Sequence, residues 1–229
     1  IAEERIRRAR AAYYGMITEL DEHIGRVVQA LKETGQYENT LIIYTSDHGE
    51  SLGDHGLWLK NNLYDCAIAV PLVVRGPGVP ANRRIETPVS QLDLAPTMLG
   101  AAGVAVPAHL RGKPLTRFFA NEPGVADNVV YAENHSEGNS TGSFMIRKGD
   151  WKYIYFSYFP PLLFNLRLDP GERRNLAGKP EFAEWERELQ AELRARVNPD
   201  AITVAAFRKQ KAMLDDLVRV NSTEQLVEL

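Results

Sequence analysis

The 229-residue sequence predicts an α/β protein, with part of a mixed sheet and flanking helices, followed by a smaller subdomain with an antiparallel β-hairpin and helices. Three observations lead to this prediction. Apolar residues recur every three or four positions over residues 2–34, short β-branched runs follow at 40–45 and 68–78, and two strand-like runs flank a turn at Gly149. Helical spacing followed by strand, loop and strand is the rhythm of an α/β fold.

The larger α/β part is expected to cover residues 1–125. Its first segment, 2–34, has the apolar spacing of one helix with a buried face. The apolar run at 40–45 is nearly continuous, which is typical of a strand buried on both faces of a parallel sheet. The run at 68–78 predicts a second strand, and Asp93 is expected to cap a short helix that follows it.

The smaller part is expected to cover residues 126–229. "NVVYAEN", then "SFMIRKGDWKYIYF" around a Gly-Asp turn, predict antiparallel strands. "LFNLRLDPGERRNLA" adds a strand and a tight turn, and helical spacing returns at 180–197 and 202–220.

Two features of this smaller part allow two interpretations each. Alternation of Trp151, Tyr153 and Tyr155 is typical of one face of a packed strand, but an aromatic cage for a quaternary ammonium would have the same residues. The amphipathic tail from Asp200 onward suits packing against another subunit, as in a homo-oligomer, or closure of the chain's own core.

Composition and charge narrow the class of protein. A net charge of -3 and a pI near 6.0 give no basic surface for nucleic acid. No run approaches the roughly 20 apolar residues that a membrane-spanning helix needs, so no membrane partner is expected. The only cysteine, Cys66, allows no intrachain disulfide, which leaves the compartment open and favours the cytoplasm.

The stretch "TSDHGESLGDHGLWLK" places polar residues directly after the apolar run at 40–45. Ligands of open α/β sheets bind where strands end, which makes Asp47 and His48 candidates. Gly49 would let the backbone turn so that both side chains reach one divalent cation, and Lys60 could hold an anionic ester oxygen. The alternative is a solvated turn in which Asp and Ser cap the next helix.

The other polar residues of this stretch stay outside the candidate site. Glu50 and Asp54 are expected to be surface or supporting groups, and His55 is as compatible with a structural hydrogen bond as with a site.

The order of several motifs resembles the sulfatase family of the alkaline phosphatase superfamily over most of residues 10–180. After "SDHGESLGDHGLWLK" come "AVPLVVRGPG", "VSQLDLAPTMLGAAG", "LRGKPL", "MIRKGDWKYIY" and "LFNLRLDPGERRNLA". The last two stretches and the helical tail are similar to choline-sulfatase-like and arylsulfatase-like bacterial members. Phosphonate and phosphate ester hydrolases of the same superfamily share much of the pattern.

The resemblance implies an alkaline-phosphatase-like mixed sheet and hydrolysis of a small-molecule sulfate ester. It implies that Asp47 and His48 are metal ligands and that Lys60 contacts the sulfate. The implied metal is calcium, although a histidine ligand suits a hard cation less well and leaves Mn²⁺, Mg²⁺ or Zn²⁺ open.

The nucleophile that the resemblance implies, a formylglycine made from Cys or Ser in a C/S-x-P-x-R motif, has no counterpart in this sequence. Cys66 is followed by Ile68 and Val70 where proline and arginine should stand, and no serine has proline two residues later. We therefore expect a C-terminal portion of a sulfatase whose N-terminal part is absent, inactive and weak in metal binding by itself. The alternatives are a phosphonate or phosphate ester hydrolase and a non-catalytic truncated homologue.

Overall fold

The computed structural model describes residues 2–120, 125, 128–135 and 139–220. It divides into two compact units, Ile1–Asn128 and Val129–Leu229. The predicted limit between residues 125 and 126 stays a prediction, because residue 126 lies outside the described residues. Within the described part, no helix has the length and apolar character needed to cross a bilayer.

The first unit combines helices with a two-stranded sheet. Its elements are α1 (Glu3–Glu33), β1 (Ile42–Thr45), α2 (Asp65–Ile68), β2 (Leu72–Arg75), α3 (Leu94–Ala101) and α4 (Thr116–Phe119), with short 3₁₀ turns at Tyr37–Asn39, Asp54–Gly56 and Gln91–Asp93.

The predicted first helix is present as α1, but the prediction that its apolar face is buried is wrong. None of its residues is buried, and Ile17 and Val27 on the apolar face are 45% and 63% exposed. Amphipathic spacing shows that a helix has an apolar face; it does not show that the same unit supplies the surface that covers it. The N-terminal turns of α1 do reach a loop, since Arg10 donates to the carbonyl oxygen of Leu52 at 2.9 Å.

The predicted strand at 40–45 is also present. The predictions that it lies in a parallel sheet and is buried on both faces are wrong. β1 pairs antiparallel with β2, with Ile42 opposite Arg75 and Thr45 opposite Leu72. All four β1 residues are half-buried. A continuous apolar run indicates that both faces of a strand can be covered. It does not indicate whether the neighbouring strand is parallel or antiparallel.

The helix after β2 begins differently from the prediction. Ser90, rather than Asp93, is the capping side chain: its hydroxyl accepts from the amide of Leu92 at 3.3 Å, and the Asp93 carboxylate in turn accepts from the amide of Ser90. The buried Asp93 carboxylate also accepts from the amide of Lys113 at 2.8 Å and from Arg117 at 3.3 Å. Asp93 therefore joins the start of α3 both to the segment before α4 and to α4 itself.

The second unit is a four-stranded antiparallel sheet covered by a helix. Its elements are β3 (Val129–Asn134), β4 (Ser143–Lys148), β5 (Trp151–Phe156), β6 (Phe159–Asn165), α5 (Ala183–Arg196) and α6 (Pro199–Val220), with a 3₁₀ turn at Pro180–Phe182. The strands lie in the order β3-β4-β5-β6, so the predicted hairpin forms the middle of a larger sheet. α5 packs on β4 and β5. The core contains Phe144, Ile146, Tyr153, Leu163, Leu176, Leu189 and Leu193.

The aromatic residues of β5 form a packed strand and no cation cage. Tyr153 is 1% exposed, and Trp151 stacks on Trp185 with ring centroids 4.9 Å apart. The hydroxyl of Tyr155 donates to Asp200 at 2.7 Å. Each ring is thus already in contact with protein groups.

A fully buried ion pair joins β5 to the turn after β6. The Lys152 ammonium lies 2.7 Å from the Glu172 carboxylate, and the two side chains are 0% and 2% exposed. Glu172 belongs to the "DPGE" turn and has a left-handed backbone, with φ of 51°. The pair fixes this turn against the sheet.

Candidate active site

The loop that follows β1 is held against α2 by a close approach at Gly49. The Gly49 amide donates to the carbonyl oxygen of Ala67 at 2.8 Å. A Cβ atom at position 49 would overlap the carbonyl oxygen of Cys66 and lie 3.1 Å from its carbonyl carbon. From the sequence, Gly49 was expected to let the backbone turn. Its φ is not in the left-handed region, so a turn does not require glycine here. The close packing against Cys66 does.

The side chains of Asp47 and His48 converge immediately beyond β1. Asp47 Oδ2 lies 3.4 Å from His48 Nε2, although Asp47 is 84% exposed. Asp47 Oδ1 accepts the backbone amide of His48 at 2.9 Å. This hydrogen bond lowers the pKa of the Asp47 carboxyl. The carboxylate is therefore kept ionised, as a metal ligand must be.

The hydrogen bonds of His48 assign its tautomer. Nδ1 lies 2.8 Å from the carbonyl oxygen of Gly49, which can only accept, so Nδ1 carries the proton. Nε2 then accepts from Lys60 Nζ at 2.8 Å, so the ammonium holds the lone pair that a metal ion would use. A neutral imidazole whose second nitrogen is fixed by a carbonyl is the usual form of a histidine metal ligand.

The loop that carries Lys60 is closed by the fully buried Ser51. Its hydroxyl donates to the carbonyl oxygen of Leu59 at 2.6 Å and accepts from Asn62 at 2.9 Å. The thiol of Cys66 lies 3.8 Å from the same hydroxyl. Cys66 is a half-buried residue of α2.

The three polar residues left outside the candidate site lie in or beside this loop. Asp54 pairs with Arg10 at 3.1 Å, which ties the loop to α1. His55 stacks on Tyr64, with centroids 3.9 Å apart and planes inclined by 9°. Glu50 accepts two backbone amides of the loop. All three make contacts within the protein.

Gln91 is a residue of this region that the sequence interpretation missed. Its side-chain nitrogen donates to the carbonyl oxygens of Ser46 and Asp47, at 2.5 and 3.0 Å. These bonds hold the backbone on which the Asp47 carboxylate stands. The only sequence signal is the position of Gln91 in the turn before α3, which does not identify its partner.

The donor set of Asp47 and His48 fits a divalent cation. Carboxylate oxygen and neutral imidazole nitrogen are both common ligands, and Nε2 and Oδ2 are close enough to serve one ion. Over the described ranges, no three His, Cys, Asp or Glu side chains gather to hold a metal ion. Two side chains alone offer fewer ligands than the coordination shell of such an ion requires.

Comparison with known proteins identifies the family. Residues 2–104 match the Sulfatase family model. Arylsulfatase K of Mus musculus is 34% identical over 219 residues, covering 91% of this chain and 39% of that protein. Choline-sulfatase of Rhizobium meliloti (strain 1021) is 35% identical over 216 residues, covering 93% of this chain and 38% of that protein.

A solved structure shows the same fold. Phosphonate monoester hydrolase from Silicibacter pomeroyi superposes with a TM-score of 0.76 and 36% identity, over 85% of this chain and 42% of that chain. The predicted alkaline-phosphatase-like fold is confirmed. The chain spans about two fifths of the length of the curated relatives that it matches. Its fold, its ordered motifs and its similarity to sulfatases along more than nine tenths of its length establish that the chain belongs to the sulfatase family.

Proposed function

We propose that this chain is the C-terminal portion of a metal-dependent sulfatase, an enzyme that hydrolyses small-molecule sulfate esters. The observation that supports the proposal most directly is the convergence of Asp47 Oδ2 and Lys60 Nζ on His48 Nε2, at 3.4 and 2.8 Å. An anion-binding ammonium beside two metal-ligating groups suits an ester that carries negative charge.

Each residue has a distinct role in this proposal. Asp47 and His48 hold the cation, with calcium as the first choice and Mn²⁺, Mg²⁺ or Zn²⁺ as alternatives. When bound, the cation supplies Lewis-acid polarisation of the ester and a fixed point for its orientation. Lys60, whose ammonium leaves the Nε2 lone pair when the cation binds there, contacts the ester and stabilises the negative charge that grows on the leaving-group oxygen as its S–O bond breaks.

The remaining parts of the reaction come from a preceding segment of the same protein in this proposal. The sequence contains no C/S-x-P-x-R motif for a formylglycine. A calcium ion takes roughly six to eight ligands, far more than Asp47 and His48 offer. The chain alone is therefore expected to bind metal weakly and to show no turnover.

A second candidate is hydrolysis of phosphonate or phosphate esters. It is favoured by the 36% identity to the phosphonate monoester hydrolase of Silicibacter pomeroyi. The two candidates are separated by kcat/KM for an aryl sulfate and an aryl phosphonate monoester, measured on the intact gene product. Higher kcat/KM for the sulfate supports the sulfatase, and the reverse order supports the phosphonate hydrolase. No turnover of either ester, with no metal bound, supports a non-catalytic homologue.

The same measurement on two variants tests the proposed roles of the residues. Lys60→Ala should lower kcat/KM for the ester while metal content stays unchanged, because Lys60 is not a ligand. His48→Ala should lower metal content itself. Equal metal content in His48→Ala and the wild type would refute the ligand assignment.

Assembly and location are further proposals. Phe207, Leu214 and Leu217 on α6 are 39%, 58% and 47% exposed, which is compatible with packing against a second subunit in a homo-oligomer. Light scattering of the intact protein distinguishes an oligomer from a monomer. A cytoplasmic location stays a prediction, tested by fractionation of the source cells.

A further inference from the structure

The loop before Lys60 begins and ends with leucines in an unfavourable backbone conformation. Leu52 and Leu59 have φ of 47° and 65°, in the left-handed region. Residues with a Cβ atom seldom adopt this backbone region, and a residue held there needs contacts that fix it. The contacts that fix these two leucines therefore determine where the chain leaves the loop.

One oxygen atom binds the amides of both leucines. Oε1 of the half-buried Glu50 accepts the amide of Leu59 at 2.6 Å and the amide of Leu52 at 3.2 Å. A carboxylate acceptor makes these bonds stronger than bonds to a neutral group. Glu50 thus ties together the two ends of the loop, and does so at its two left-handed leucines.

The other bonds that hold this loop act on different atoms. Ser51 donates both its hydroxyl and its backbone amide to the carbonyl oxygen of Leu59, and Arg10 donates to the carbonyl oxygen of Leu52. Neither side chain accepts the leucine amides, so it cannot substitute for the carboxylate. Without an acceptor, each leucine can relax toward the ordinary β or right-handed region.

We propose that Glu50 is a positioning residue for Lys60. Lys60 directly follows Leu59, and its ammonium lies 2.8 Å from His48 Nε2. A change of φ at Leu59 swings the Lys60 side chain away from the imidazole. The role deepens the function proposed for Lys60 and rests on it, while Glu50 itself touches neither the candidate ligands nor an ester.

The test uses the metal-free chain and reads the hydrogen bond at His48 directly. In ¹⁵N-labelled protein, above the pH range in which imidazoles titrate, the Nε2 resonance of His48 reports whether Lys60 donates to it. Lys60→Met gives the position of this resonance without the bond. We expect Glu50→Ala to move the resonance to that position, and Glu50→Ala to have no further effect in the Lys60→Met background.

Glu50→Gln is the matched control, because an amide oxygen of the same reach still accepts both leucine amides. It should leave the His48 resonance at its wild-type position. A general loss of structure would move both variants alike, and the ¹⁹F signal of 5-fluorotryptophan at Trp58 shows whether the first unit of each variant is folded. Wild-type resonance in a folded Glu50→Ala variant, or equal shifts in the Ala and Gln variants, would overturn the proposal.

A measurement on the wild-type chain covers the case in which Glu50→Ala does not fold. Hydrogen exchange of the Leu52 and Leu59 amides should be slowed relative to exposed loop amides, because both are bonded to Glu50. Exchange as fast as that of unprotected amides would overturn the proposal. Neither test involves ester or metal, so a negative result here leaves the proposed activity to be decided by its own assay.

Discussion

Replacement of Gly49 by alanine should strongly destabilise the first unit. The new methyl group would overlap the carbonyl oxygen of Cys66 and force the loop after β1 away from α2. The bond from the Gly49 amide to the carbonyl oxygen of Ala67, now 2.8 Å, would be lost, at about 0.5–1.5 kcal/mol. Moving backbone out of a packed contact adds about 1–3 kcal/mol. We expect the free energy of unfolding to fall by roughly 2–4 kcal/mol.

Urea unfolding followed by the ¹⁹F signal of 5-fluorotryptophan at Trp58 measures this change, because Trp151 and Trp185 belong to the second unit. The matched control is Gly25→Ala. Gly25 lies within α1, and no atom lies within 4 Å of the place that an added methyl group would occupy, so alanine should raise stability by about 0.5–1 kcal/mol. A loss below about 1 kcal/mol for Gly49→Ala would refute the close-packing explanation.

Three further outcomes are expected. Glu172→Gln leaves the Lys152 ammonium without its buried counter-charge and should cost about 3–5 kcal/mol in urea unfolding of the second unit; a cost under about 1 kcal/mol would contradict a buried pair. Burial raises the pKa of Tyr153 to about 12, above its unfolded value near 10.0, so stability should fall by roughly 2–3 kcal/mol as the pH rises between these values. Tyr153→Phe should abolish that fall, and an unchanged pH profile would show that another group causes it. Asp47→Asn in the intact protein should lower calcium affinity by at least about tenfold in calorimetry, since one charged ligand is lost; equal affinity would remove Asp47 from the site.

The sequence predicted most helices and strands because their signals are local. Apolar spacing gave α1, and the turn at Gly149 gave the β4–β5 hairpin. It did not predict the antiparallel pairing of β1 with β2, nor the exposure of Ile17 on α1. Both depend on what lies beside an element, and hydrophobic spacing does not encode the partner.

The residues of the candidate site could be predicted from the sequence, but the contacts that hold them could not. Asp47, His48 and Lys60 were identifiable by type and position, and the structure brings them within hydrogen-bonding or ion-pair distance. The bond from Gln91 to the β1 end joins residues far apart in the sequence, which no local motif reports. The left-handed Leu59 was equally hidden, because leucine gives no sign of that conformation in a sequence.

In the proposed function, this chain supplies Asp47, His48 and Lys60 to a sulfatase site whose nucleophile lies on a preceding segment. Intact mass and peptide mapping of the protein purified from its source decide whether that segment exists. We expect a longer polypeptide with a C/S-x-P-x-R peptide that shows the mass deficit of formylglycine. A polypeptide that begins at Ile1 and purifies without any such peptide would overturn the proposed function.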